Sequence, residues 1–151
     1  MRLEEVLSPQ ALIAELRARD KAGALRELVE VLPVDREQAL AALWERERLG
    51  STAIGQGVAI PHARLAGLSR PVASFGRSPE GVEFDSLDGR PVHFIFCLLA
   101  PEGAPVAHLR VLARMARILG DGSLRRRLQQ AAGREELYRL LVDEDRRTGE
   151  P

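Results

Sequence analysis

Residues 92–100, VHFIFCLLA, are apolar at nearly every position. A strand with one wet face alternates apolar and polar side chains; a strand covered on both faces does not. This run therefore predicts a central strand with helices on either side of its sheet. It is far shorter than the roughly 20 apolar residues that cross a bilayer, so no membrane insertion is expected. A length of 151 residues with 45% hydrophobic composition suits one core of ordinary size. Residues 1–151 are read as a single domain of the α/β (α+β) class.

Around that strand the hydrophobic period changes once. Before Gly50 it is helical. Ser8-Pro9 has the form of a helix start, with Leu12, Ile13 and Leu16 on one face. A second helix is predicted from Asp20, carrying Leu25, Leu28, Val29 and Leu32 until Pro33 stops it. A third is predicted from Asp35, with Gln38 completing a capping box and Leu40, Leu43 and Trp44 buried, ending at Gly50. Beyond Gly50 extended runs are expected at 57–62, 72–77 and 92–100. Helices then return at 105–119, with Val106, Leu109, Leu112, Ala113, Ala116 and Leu119 facing inward, at 123–132, and from 134 to about 142. The charged residues 143–151, DEDRRTGEP, are expected to fray.

Charge and cysteine content narrow the function classes. Twenty-two Lys and Arg balance twenty-two Asp and Glu, so no bulk positive field points to nucleic acid. The run Arg125-Arg126-Arg127 lacks interleaved aromatic residues and reads as a solvated helix face. Cys97 is the only cysteine, and no basic-plus-apolar leader precedes MRLEEVLSP. A reducing, cytoplasmic setting is expected.

The stretch carrying chemistry is IGQGVAIPHAR, residues 54–64. Gly55 and Gly57 allow a tight turn or a close backbone approach, and Pro61 removes a ladder donor. His62 is thereby expected where a strand leaves the sheet, a place where ligands of helix-flanked sheets bind. A neutral imidazole is a nucleophile near pH 7, and its phosphoramidate passes the phosphoryl group on. The same residues also fit a strand-end histidine bonded to backbone. His108 falls in the first turn of the helix predicted from Pro105, near free N–H groups, where a neutral histidine can bond a phosphate. Arg46 offers a positive fork, and Ser51 and Thr52 offer hydroxyls, although each also fits an ordinary helix face or loop. His93 and Cys97, taken with His62 and His108, match no recognised zinc spacing and read as core residues.

The segment LWERERLGSTAIGQGVAIPHAR, the strand PVHFIFCLLAP, the helix AHLRVLARMARIL and the segment REELYRLL together resemble a known family. It is that of the enzyme IIA domains of the fructose and mannitol type in the bacterial phosphoenolpyruvate-dependent phosphotransferase system, which includes the nitrogen-regulatory enzyme IIA. The resemblance implies a mixed β-sheet flanked by helices. It implies that His62 is the phosphoacceptor, with His108 the second active-site histidine and Arg46 the active-site arginine. HPr or a nitrogen-type paralogue would be the donor, and an enzyme IIB, or a regulated transporter or kinase, would lie downstream. No cofactor and no metal are implied. Ala53 stands where many members have glycine, and Ala63-Arg64 where others have glycine and lysine. A sugar-specific subunit for uptake and a non-catalytic regulatory binding module remain the alternative readings.

Overall fold

The computed structural model describes residues 1–103 and 105–149. After a 3-10 turn at Leu3–Glu5 come β1 (Leu7–Ile13), α1 (Lys21–Glu30), α2 (Arg36–Arg48), β2 (Ala53–Gly55), β3 (Val58–Ala59), β4 (His62–Leu65), β5 (Val72–Val82) and β6 (Val92–Pro101). Helices α3 (Pro105–Leu119), α4 (Gly122–Gln130) and α5 (Arg134–Thr148) follow. The six strands form one mixed sheet in the order β1-β5-β6-β3-β2, with β4 also on β6. β6 pairs antiparallel with β5 and parallel with β3 and β4, while β1 lies parallel on β5. The run that predicted a doubly covered strand is β6, in which every residue from Phe94 to Ala100 is buried. α1 packs on β5 and β6 and against α2; α3 packs on β6, α5 on β1, and α3, α4 and α5 on one another.

The capping signals of α1 and α2 formed where the sequence placed them. The Asp20 carboxylate accepts from Gly23 N–H at 2.8 Å, and that of Asp35 accepts from Gln38 N–H at 3.0 Å. Ala39 and Leu43 carry the buried side of α2, whereas Trp44 is 39% exposed and not a core residue. The reason is angular: Trp44 lies one residue, about 100°, around the helix from Leu43.

Three other expectations are corrected. Ser8-Pro9 does not start a helix; it lies in β1, an edge strand whose register shifts between Leu7 and Leu12. Proline is tolerated at such an edge because its missing N–H leaves no ladder bond unmade. α3 buries His108, Val111, Met115, Ile118 and Leu119, while Val106 and Leu109 are exposed, so the inward stripe is turned to include a histidine. Residues 143–148 continue α5 rather than fraying; residues 150 and 151 of the expected tail lie outside the described residues. Asp145, 1% exposed, accepts from Leu3 N–H at 2.8 Å and pairs with Arg114 at 2.8 Å, which ties the end of α5 to the N-terminal turn.

Arg77 on β5 is a buried side chain that no local pattern announces. Its Nε donates to Ala14 O at 2.9 Å, and its Nη1 donates to Leu128 O and Ala131 O, each at 2.8 Å. A single guanidinium thus ties the segment after β1 to the C-terminal end of α4, whose free carbonyls favour a cation.

Candidate functional site

β3 and β4 are two halves of one line of chain running along β6. Ala59 is opposite Ile95 and His62 opposite Leu98, three residues on in both strands, so the register is unbroken across Ile60-Pro61. His62 therefore opens a strand instead of marking where one leaves the sheet, because only the missing N–H of Pro61 interrupts the ladder. Ile60 N–H donates to Thr52 O at 3.0 Å and Pro61 O accepts from Leu98 N–H at 2.9 Å. The carbonyl of Ile60 accepts from His62 Nδ1 at 2.8 Å. A carbonyl can only accept, so Nδ1 carries the proton and Nε2 keeps the lone pair.

An open cleft of about 580 Å³ lies between the end of α2, β4 and the first turn of α3, and His62, His108, Arg46 and Arg64 line it. The two imidazole centroids are 5.3 Å apart with the rings tilted by 58°. His108 is 8% exposed, and its Nδ1 is buried without a hydrogen-bond partner among the described residues. Arg46 donates one bond from Nη1 to Gly50 O at 3.0 Å, which leaves most of its fork available. Burial pulls His62 below the ordinary histidine range and nearby Arg46 adds to the drop, against the opposing pull of the Ile60 carbonyl and the Glu47 charge. His108 is lowered as well, by burial first, then by His62 and Arg64. Both rings are thus biased toward the neutral form.

The remaining residues singled out from the sequence support the loop and do not line the cleft. Ser51 Oγ donates to Phe84 O at 2.6 Å, and Thr52, 5% exposed, donates its hydroxyl to Glu47 Oε1. Gly55 and Gly57 have φ of 88° and 76° and flank Gln56 at 59°, so three successive residues adopt left-handed backbone. Gly57 O then accepts from His93 N–H at 2.8 Å, which seats the turn on β6. His93 donates Nδ1 to Ser78 O at 2.7 Å, and Cys97 is wholly buried with its thiol pushed up to about 12 by desolvation, so both sit in packed settings. Among the described residues no group of three or more His, Cys, Asp or Glu is placed to hold a metal ion.

Sequence reasoning missed the support behind the loop and the apolar rim in front of it. Glu47, 5% exposed, pairs with Lys21 at 3.0 Å and accepts from Thr52, which fixes the chain between α2 and β2. An acidic residue at the buried side of a helix, four residues after Leu43, was the available signal. Leu49 and Leu109, 83% and 64% exposed, border the cleft.

A family model described as "Phosphoenolpyruvate-dependent sugar phosphotransferase system, EIIA 2" matches residues 5–144. The chain belongs to that family. This EIIA 2 chain is 37% identical over 146 residues to a nitrogen regulatory protein of Bradyrhizobium diazoefficiens, covering 94% of this chain and 95% of the relative. It is 34% identical over 151 residues to a fructose-specific EIIABC component of Bacillus subtilis, of which it spans 24%. The crystal structure of nitrogen regulatory protein IIA-Ntr from Neisseria meningitidis superposes with a TM-score of 0.87 at 36% identity, covering 92% of this chain and 98% of that one. The EIIA 2 chain is accordingly a phosphotransferase-system component, with a role in regulation or phosphoryl relay. No helix among its described residues is long and apolar enough to cross a membrane.

Proposed function

We propose that this chain carries a phosphoryl group on His62 Nε2 between two proteins of the cytoplasm, with HPr or its nitrogen-type paralogue as donor. The observation that carries the reading is the Nδ1 bond to the Ile60 carbonyl, which leaves Nε2 as the nucleophilic nitrogen in an open cleft. The Nε2 lone pair forms the new N–P bond as the donor's N–P bond breaks, and that electron pair returns to the donor imidazole. The proton stays on Nδ1 throughout, hydrogen-bonded to the Ile60 carbonyl. Arg46 holds equatorial phosphoryl oxygens, and His108, which lines the same cleft, adds a hydrogen bond. The exposed Leu49 and Leu109 suit an apolar contact with a partner protein, since a cleft this open does not enclose a small substrate.

The outlet is an enzyme IIB, or a transporter or kinase whose activity follows the phosphorylation state. Similarity to proteins named nitrogen regulatory protein supports regulation, and the fructose-specific relative supports sugar uptake as a second reading. The test is phosphotransfer from phosphoenolpyruvate through enzyme I and HPr, with intact mass and acid lability as readouts. The expected result is one acid-labile phosphoryl group on the wild type and none on His62→Ala. A labile group retained by the variant overturns the assignment.

A further inference from the structure

Arg64 stands two residues after His62 on β4. Ala63 and Leu65 are buried, His62 is half-buried and Arg64 is exposed, so the pleat directs His62 and Arg64 to one face and the two apolar side chains to the other. Two steps along a strand separate their Cα atoms by about 6–7 Å, within reach of an arginine side chain. Arg64 also lines the cleft that holds both histidines. The other charged groups facing that cleft are Arg46 and Glu45; Arg46 is partly committed to Gly50 O, and Glu45 lies 3.6 Å from Arg48. The Arg64 side chain makes no hydrogen bond or ion pair among the described residues.

Resting on the phosphocarrier reading above, we infer that Arg64 is a second phosphoryl-holding guanidinium, beside Arg46, in the cleft of the two histidines. The charge balance explains the need for it. Transfer moves a phosphoryl dianion into the cleft, and two guanidiniums match that charge whereas Arg46 alone leaves it half compensated. An uncommitted arginine at the mouth can swing onto the phosphoryl group as it arrives, and its own solvation is surrendered only then. Its electrostatic influence falls on His108, while that of Arg46 falls on His62, and both arginines line the cleft that holds the pair.

The test compares wild type with Arg64→Ala, Arg64→Gln and Arg64→Lys, each checked for an unchanged melting temperature, in single-turnover transfer from phosphorylated HPr. A phosphorus NMR titration of each phosphorylated form follows. The expected result is a rate about tenfold to a hundredfold lower in the Ala and Gln variants, as for loss of one donor to a developing anion, with partial recovery in Lys. The second ionisation of the phosphoryl group should move to higher pH in Ala and Gln, because the dianion has lost a cation. An unchanged rate overturns the inference. A slower rate with an unchanged phosphoryl titration also overturns it, since Arg64 would then be acting on the donor protein. Failure of the wild type to accept a phosphoryl group removes the phosphocarrier reading itself, and Arg64 with it.

Discussion

Glu47→Gln keeps the shape of a side chain that joins the core to the site, removes its charge and turns one acceptor oxygen into an amide donor. In the native protein Glu47 accepts Thr52 N–H at 3.3 Å and the Thr52 hydroxyl, and meets Lys21 Nζ at 3.0 Å. Breaking a buried ion pair by removing one partner costs about 3–5 kcal/mol. Here Lys21 keeps Asp85 at 3.2 Å and the Phe84 ring at 5.0 Å, and glutamine still accepts from Thr52, so the expected loss falls to about 2–3 kcal/mol. For a domain of this length that corresponds to a drop in Tm of about 5–10 °C by calorimetry. A second readout is independent of stability: the Glu47 charge raises the pKa of His62, so its removal lowers it. The acid limb of phosphoryl acceptance should therefore move to lower pH in the variant. A Tm within ~1 °C of wild type, or an acid limb displaced upward, would refute the argument that this carboxylate supports both the loop and the nucleophile.

Other outcomes follow from the same contacts. Arg46→Ala removes a charge that lowers His62, so the acid limb of acceptance should rise in pH while the maximal rate falls by about tenfold or more, measured by single-turnover transfer. Because both cleft histidines titrate below their ordinary value of 6.5, the folded state prefers them neutral; stability should be full above pH 6.5 and fall as pH drops through their lowered values, and urea melts of His62→Asn and His108→Asn should show a shallower acid slope. Arg77→Met orphans the carbonyls of Ala14, Leu128 and Ala131 and should cost about 2–4 kcal/mol in urea unfolding, whereas a change under about 1 kcal/mol would mean that water replaces the guanidinium. Trp44→Ala, at a surface position, should change stability by about 1 kcal/mol or less, far below the cost of emptying a core site.

What the sequence revealed and concealed divides along physical lines. β6 was legible because nothing but a doubly covered strand tolerates Phe94 to Ala100 without a polar break, and α1 and α2 because Asp20 and Asp35 are local caps whose partners lie three residues away. β1 was not, since Ser8-Pro9 satisfies a helix start and an edge strand equally, and only pairing with the distant β5 decides between them. The stripe expected on α3 holds at Leu119 and in part at Leu112 and Ala116 but fails at Val106, Leu109 and Ala113, because the fold gives His108 a buried position and leaves Leu109 at the cleft. His62, His108 and Arg46 were identified by residue type and resemblance, and the fold brings all three to one cleft. Ser51 and Thr52 were singled out for the same chemistry, but their hydroxyls are spent on Phe84 O and Glu47, long-range and buried partners that no local pattern discloses.

The group that orients His62 is a main-chain carbonyl, that of Ile60. Any residue at position 60 brings the same oxygen, so substitution of the buried Ile60 should act through packing and not through the tautomer, and among the described residues no carboxylate takes that orienting place. What must be inherited is the course of the backbone across residues 60 and 61. The determinant of the tautomer is therefore Pro61 and the pairing with β6, and not any side chain at position 60.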